Sequence, residues 1–343
     1  MTLSHVSRRH VLGGMTALSL GALLPGVSAS AQSATPDDNA DEAFPVTIPH
    51  VYGETVIAEE PKRVVTLSWI NQDVVISLGV IPVGMPFNAW GGDEEGYLPW
   101  TREAIGDNPA PVLFDDSVEI PFETIIDLEP DVIIGVFSAI SQDEYNTLSA
   151  IAPTVAYPEV PFGTSWQDTT RIIGQILGKA DEAEELLKST EDLIAHSAVE
   201  YPQIKDKTFT YASVNGSESV NVYTVIDVRV QLMTSMGMKP SPFSESLEIG
   251  DDRTAYFVGL SFERVNEIDG DLLIMWFANQ DDADALAEMP VMKSLPFFQN
   301  GTFVPVVGEP YVMASSAPSP LSIPYMLDEY VPQIAAAADN VPE

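Results

Sequence analysis

Two phenylalanine–glutamate pairs, Phe122-Glu123 and Phe262-Glu263, head segments that read alike: "PFETIIDLEPDVII" (121–134) and "SFERVNEIDGDLLI" (261–274). In each, the acid falls in the first turn of a short predicted helix, and Asp131 or Asp271 then introduces an apolar strand. A first-turn carboxylate offsets the positive end of the helix dipole by ~0.3–1 kcal/mol. That would account for one glutamate, but not for the same neighbour and spacing twice. Two exposed carboxylates related by a pseudo-twofold would suit docking on a two-fold partner that presents a basic residue on each half. On the residues alone, capping and docking both stand.

Other reactive side chains are few. The absence of cysteine excludes disulfides, thiolate metal sites and a catalytic thiol. Beyond the first 31 residues only His50 and His196 remain, far apart and without ligand spacing, so direct metal binding is not expected. Asp115-Asp116, Asp251-Asp252 and Asp281-Asp282 read as solvated loops, and no residue pair suggests haem ligation. A secreted two-lobe α/β enzyme is the competing class. Against it, the chain has no G-x-S-x-G elbow, P-loop or G-x-G-x-x-G fingerprint, and few general bases. A non-enzyme with no cofactor is expected.

The elements that must position these residues alternate between strand and helix from Lys62 onward. Strands are predicted at 63–68, 80–85, 111–114, 131–137 and 154–158, with helices at 70–79, 122–128 and 142–151 between them. A loop over 86–102 carries Phe87, Trp90, Tyr97 and Trp100. A second series has strands at 207–214, 271–277 and 301–307, and helices at 226–236, 262–268, 283–289 and 323–338. Between the series lie helices 166–178 and 180–199, the latter with Leu186, Leu187, Leu193 and Ile194 on one side. The expected fold is therefore α/β: two Rossmann-like lobes with mainly parallel sheets, joined by a single long helix. Boundaries fall at 1–31 (export signal), 32–60 (flexible N-terminus and lead-in), 61–165 (first lobe), 166–203 (helical linker) and 204–338 (second lobe).

The segment 1–31 carries Arg8-Arg9, an apolar run over 11–24 and "ASA" at 29–31, the order of a twin-arginine export signal. Without cysteine, no lipid anchor of that kind is expected, and the chain should act in the periplasm, cell envelope or outside the cell. Removal of the two arginines takes the net charge from −36 to −38, which argues against a nucleic-acid partner.

In open α/β sheets ligands sit beyond the carboxyl ends of the strands. The residues there are aromatic: Trp69, Phe87, Trp90 and Phe137 in the first lobe, and Tyr223, Trp276, Phe277 and Tyr311 in the second. Phe137 and Phe277 read as core. Trp90, Trp100, Tyr223 and Tyr311, among glycines and prolines, read as cleft residues. Arg102, Arg229 and Arg253 are the arginines available to a ligand, although each could instead neutralise a surface acid.

The order of "RVVTLSWINQDVVISLGVIPVGM" (63–85), "FETIIDLEPDVIIG" (122–135), "IAPTVAY" (151–157), "LGKADEAEELL" (177–187) and "SFERVNEIDGDLLI" resembles the substrate-binding proteins of iron-siderophore and vitamin B12 ABC importers. The resemblance implies a class III periplasmic binding protein that captures a ferric siderophore between its lobes, with cobalamin or haem as alternative ligands. It implies that Glu123 and Glu263 meet arginines of a dimeric ABC permease. The binding protein itself is expected to be a monomer. One helical connection implies limited closure on ligand.

Overall fold

The computed structural model describes residues 43–216, 218–250 and 255–342; the expected export signal and Arg253 lie outside them. The first lobe is built on one five-stranded sheet: β3 (Val64–Thr66), β4 (Gly84–Pro86), β5 (Val112–Phe114), β6 (Val132–Ile134) and β7 (Thr154–Val155). Their order is β5-β4-β3-β6-β7 and every pairing is parallel. Val64, Val65, Val132, Ile133 and Ile134 are fully buried, as expected of strands covered on both faces. Because the chain winds outward from β3 first to one side and then to the other, the strand order reverses between β3 and β6. The crevice beyond the strand ends opens at that point.

A hairpin precedes the sheet. β1 (Val46–His50) pairs antiparallel with β2 (Gly53–Ile57). The lead-in, expected to run to residue 60, thus contains a hairpin that the sequence reading did not name. Ile48 and Ile57 pack with Val64, Ile173 and Ile176, and Thr55 Oγ1 donates to the Thr154 carbonyl at 2.6 Å. Burial alternates at Ile48 and His50 and at Thr55 and Ile57, but with Thr55 inward and Val56 outward over strands of five residues, the residue types do not mark it.

The second lobe carries β8 (Thr208–Asn215), β9 (Ser219–Tyr223), β10 (Lys239–Pro240), β11 (Phe257–Ser261), β12 (Leu272–Phe277) and β13 (Phe303–Val307). Its path is β11-β9-β8-β12-β13, with β10 beside the start of β8. β8, β12, β13 and β10 are parallel; β9 and β11 are antiparallel additions that the sequence reading did not anticipate.

Helix Ala180–Glu200 joins the two series. Its buried stripe is Ala183, Leu187, Thr190 and Ile194, at helical spacings of four, three and four. Leu193, expected on that face, is exposed. Leu187 and Ile194 belong to the core of the second lobe, together with Trp100, Phe209, Tyr211 and the C-terminal helix Ser322–Ala338. Among the described residues no helix is long and apolar enough to cross a membrane.

Candidate functional site

The ends of β3, β4 and β5 face helix Val228–Ser235, strand β12 and helix Glu309–Ser316 of the second lobe across a cavity of about 570 Å³. The first lobe lines it with Ser68, Trp69, Phe87, Trp90, Asp115 and Asp116, and the second with Arg229, Trp276, Met313 and Ser316. Phe162 closes one side.

The backbone presents Trp69 by an unusual turn. Ser68 and Ile70, on either side, are both in the left-handed region (φ 59° and 56°). For a β-branched residue such as Ile70 that conformation is strained. Asn71, fully buried, holds it: the side-chain amide donates to the carbonyls of Leu67 (2.7 Å), Trp69 (3.1 Å) and Phe137 (3.0 Å), while Oδ1 accepts from Phe137 N–H. Ile70 is driven into a small cluster with Phe137 and Ala317, which leaves the Trp69 ring 43 % exposed against Phe162.

Phe87 depends on Gly96. A Cβ there would lie 2.1 Å from the Phe87 ring, so only glycine lets the ring fold back over its own loop. Gly91 allows a close approach of a different kind. Its N–H donates to Glu309 Oε2 of the other lobe at 3.0 Å, and an added Cβ would press on Met313 and the Glu309 carbonyl. That contact brings Trp90 edge-to-face with Trp276, ring centroids 6.2 Å apart.

Arg229 is mostly buried in the opposite wall. Its Nη1 donates to Asp227 at 2.8 Å, its Nε to Ser316 Oγ at 3.1 Å, and its guanidinium lies 4.3 Å from the centre of the Tyr223 ring. Burial pushes the Asp227 carboxyl above its ordinary range, opposed by the Arg229 charge. Burial likewise raises Asp116, although its carboxylate accepts from Ser68 N–H at 2.6 Å. Asp115, exposed, is held low by the Ser117 hydroxyl and N–H.

Five of the ten residues singled out for ligand contact thus line one cavity: Trp69, Phe87, Trp90, Arg229 and Trp276. Four lie elsewhere. Trp100 and Arg102 belong to a helix, Pro99–Ile105, and not to a loop; Pro99 at its first position starts it. Trp100 is 5 % exposed, and its indole N–H donates to Asp73 at 2.8 Å. Arg102 is spent on Asp93 and Glu95 and lies over Tyr97. Tyr223 ends β9 beneath the wall, where its hydroxyl accepts from Trp276 Nε1 at 3.0 Å. Tyr311 is on a helix, stacked on Tyr325. The sequence reading put Asp115 and Asp116 in a solvated loop; the strand-end rule, applied to acids as well as aromatics, would have set them at the cavity. Phe162, distant from any strand end, gave no signal.

Beyond the cavity, Asp73 is a second structural centre. Fully buried, it accepts from Trp100 Nε1, from Thr101 Oγ1 (2.9 Å) and, across the lobes, from Ser319 Oγ (2.7 Å). Burial raises its carboxyl against the pull of those three donors. Glu123 and Glu263 are both exposed, with no hydrogen bond or ion pair among the described residues. No cluster of three or more His, Asp or Glu among them could hold a metal.

Residues 64–306 match the family model described as periplasmic binding protein. The chain belongs to the periplasmic binding protein family. Two α/β lobes with mainly parallel sheets joined by one long helix are its class III arrangement. The chain is 31% identical to PiaA from Streptococcus pneumoniae TIGR4, solved in complex with ferrichrome, at a TM-score of 0.78, covering 87% of this chain and 100% of that one. It is 27% identical to the probable siderophore-binding lipoprotein YfiY of Bacillus subtilis, over 69% of this chain and 70% of that protein. It is also 22% identical to FepB of Escherichia coli, a ferric enterobactin-binding periplasmic protein, over 82% of this chain and 86% of that one.

Proposed function

We propose that this protein captures a ferric siderophore in the cavity between its lobes and delivers it to a dimeric ABC-type permease. The observation that carries the reading is the wall itself: three tryptophans and two phenylalanines from both lobes converge on one open cavity. Convergent aromatic rings around a few polar groups suit a bulky organic chelate. The named ligands of the relatives support the same class. Binding needs no catalytic group, and the long joining helix restricts the lobes to small movements about the bound chelate.

Delivery rests on Glu123 and Glu263. Each is exposed and outside any ion pair among the described residues, near the start of its helix, one on either lobe. The export signal expected at 1–31 would put that action outside the cytoplasm.

The decisive experiment combines two measurements. Titration with ferric siderophores should quench the fluorescence of Trp69, Trp90 and Trp276, and the paired substitution Glu123→Lys, Glu263→Lys should abolish siderophore-dependent iron uptake with affinity unchanged. Failure of every chelate to quench refutes the ligand; loss of affinity in the paired variant refutes the docking role.

A further inference from the structure

Resting on the siderophore reading, we infer that the cavity selects ferric chelates of zero or positive net charge and discriminates against anionic ones. Among the described residues that line it, the charged ones are Asp115, Asp116 and Arg229. Arg229 is the only cation of the three, and its charge is already met. Asp227 takes Nη1 and also accepts the Arg229 backbone N–H at 2.9 Å, while Ser316 takes Nε. The guanidinium lies against Tyr223, bracing the wall that holds Trp276. Arg102, the other described arginine considered for the ligand, is tied to Asp93 and Glu95.

Among the described residues, no counter-charge balances the two carboxylates on the opposite side. The Asp116 side chain receives, among the described residues, only backbone N–H groups, those of Ser68 and of Asp116 itself, and that of Asp115 only the N–H and hydroxyl of Ser117. With Asp227 set against Arg229, the wall is left with the negative charge of Asp115 and Asp116. The whole chain, at −36, adds a far field of the same sign.

Ferric chelates differ sharply on this axis. Three hydroxamates, each a monoanion, balance Fe(III) and give a neutral complex; a pendant ammonium makes it a cation. Three catecholates, each a dianion, leave a trianion. An anionic chelate would have to shed its hydration while facing unpaired carboxylates in a partly enclosed site, where Coulomb repulsion is stronger than in water. A neutral chelate meets only the aromatic walls, and a cationic one gains from both acids.

The test uses the purified protein and three probes: a cyclic tris-hydroxamate of Fe(III), a linear tris-hydroxamate of Fe(III) with a free ammonium, and an Fe(III) tris-catecholate. Tryptophan quenching reads each affinity. The first two should bind at least about tenfold more tightly than the trianion, and Asp115→Asn should narrow that gap by about threefold. Asp115 is exposed, so its amide variant keeps the fold; Asp116→Asn provides a second reading. A trianion that binds as tightly as the neutral chelate, or a gap that neither variant changes, overturns the charge selection while leaving the siderophore reading intact. No quenching by any probe overturns both.

Discussion

Asp131 and Asp271 occupy the same register in two different sheets. In the first lobe Val132 lies opposite Val64, and the Asp131 carboxylate accepts the N–H groups of Lys62 (2.7 Å) and Arg63 (2.9 Å) where β3 begins. In the second, Leu272 lies opposite Phe209, and Asp271 accepts the N–H (2.7 Å) and hydroxyl (2.9 Å) of Thr208 where β8 begins. Each acid therefore clamps the entry of the neighbouring central strand, which gives the repeated Asp a structural reason. The preceding helices differ. Phe122–Asp127 is α-helical, whereas Phe262–Glu267 is a 3₁₀ helix. A 3₁₀ helix eclipses residues three apart, and Arg264 there makes two 2.7 Å bonds to Glu267. The matching positions in the first lobe, Thr124 and Asp127, cannot form such a pair. The comparison separates two levels of duplication: strand entry is conserved between the halves, while helix geometry and the cavity walls are each lobe's own.

The Asp73 cluster couples the unlike lobes alongside the Gly91–Glu309 bond; Asp73 is fully buried, so loss of the cluster should have the largest effect. Asp73→Ala leaves the indole of Trp100 buried without its acceptor and should destabilise the protein by about 2–4 kcal/mol in urea unfolding. An unchanged midpoint would mean that the lobes hold together without it. The same residue sets a pH dependence. Burial raises Asp73 above its unfolded value, so between the two values the native state holds the proton and the unfolded state does not. Stability from this group is therefore present at the acid end and lost as pH rises through that window; Asp73→Asn should flatten the slope.

The two strand clamps should differ moderately. Asp271 is half-buried and Asp131 exposed, so Asp271→Ala should cost about 1–2 kcal/mol and Asp131→Ala about 0.5–1 kcal/mol. Equal losses would show that solvent does not weaken the outer clamp. The smallest effect belongs to the glutamates. Glu123→Gln and Glu263→Gln should each change stability by less than about 0.5 kcal/mol, since both are exposed and outside any ion pair among the described residues. A larger loss at either position would return that residue to a capping role.

Much of this was legible beforehand. Apolar runs such as "DVIIGVF" and "DLLIMWF" marked buried strands because a strand covered on both faces has no polar side to show. The duplication was visible because short-range rules, a first-turn acid and an Asp before a strand, are written within 14 residues. The strand-end rule located Trp69, Phe87, Trp90 and Trp276, since strand direction alone says which end opens to the cleft. It did not place Tyr223 or Tyr311 on the cavity, and the separate loop reading did not hold for Trp100. That ring turns inward because Asp73 accepts from its indole, and Ser319, 246 positions from Asp73 in the chain, completes the cluster.

The chain's own order of residues thus determined the two α/β halves, their repeated strand entries and the aromatic character of the strand ends. Tertiary structure alone decided which rings meet at the cavity, that Asp227 takes up the charge of Arg229, and that Asp115 and Asp116 face the same space. The physical reason is range. Helix and strand formation depend on neighbours a few positions away, whereas the direction and effective charge of a side chain depend on groups that only folding brings within hydrogen-bond distance.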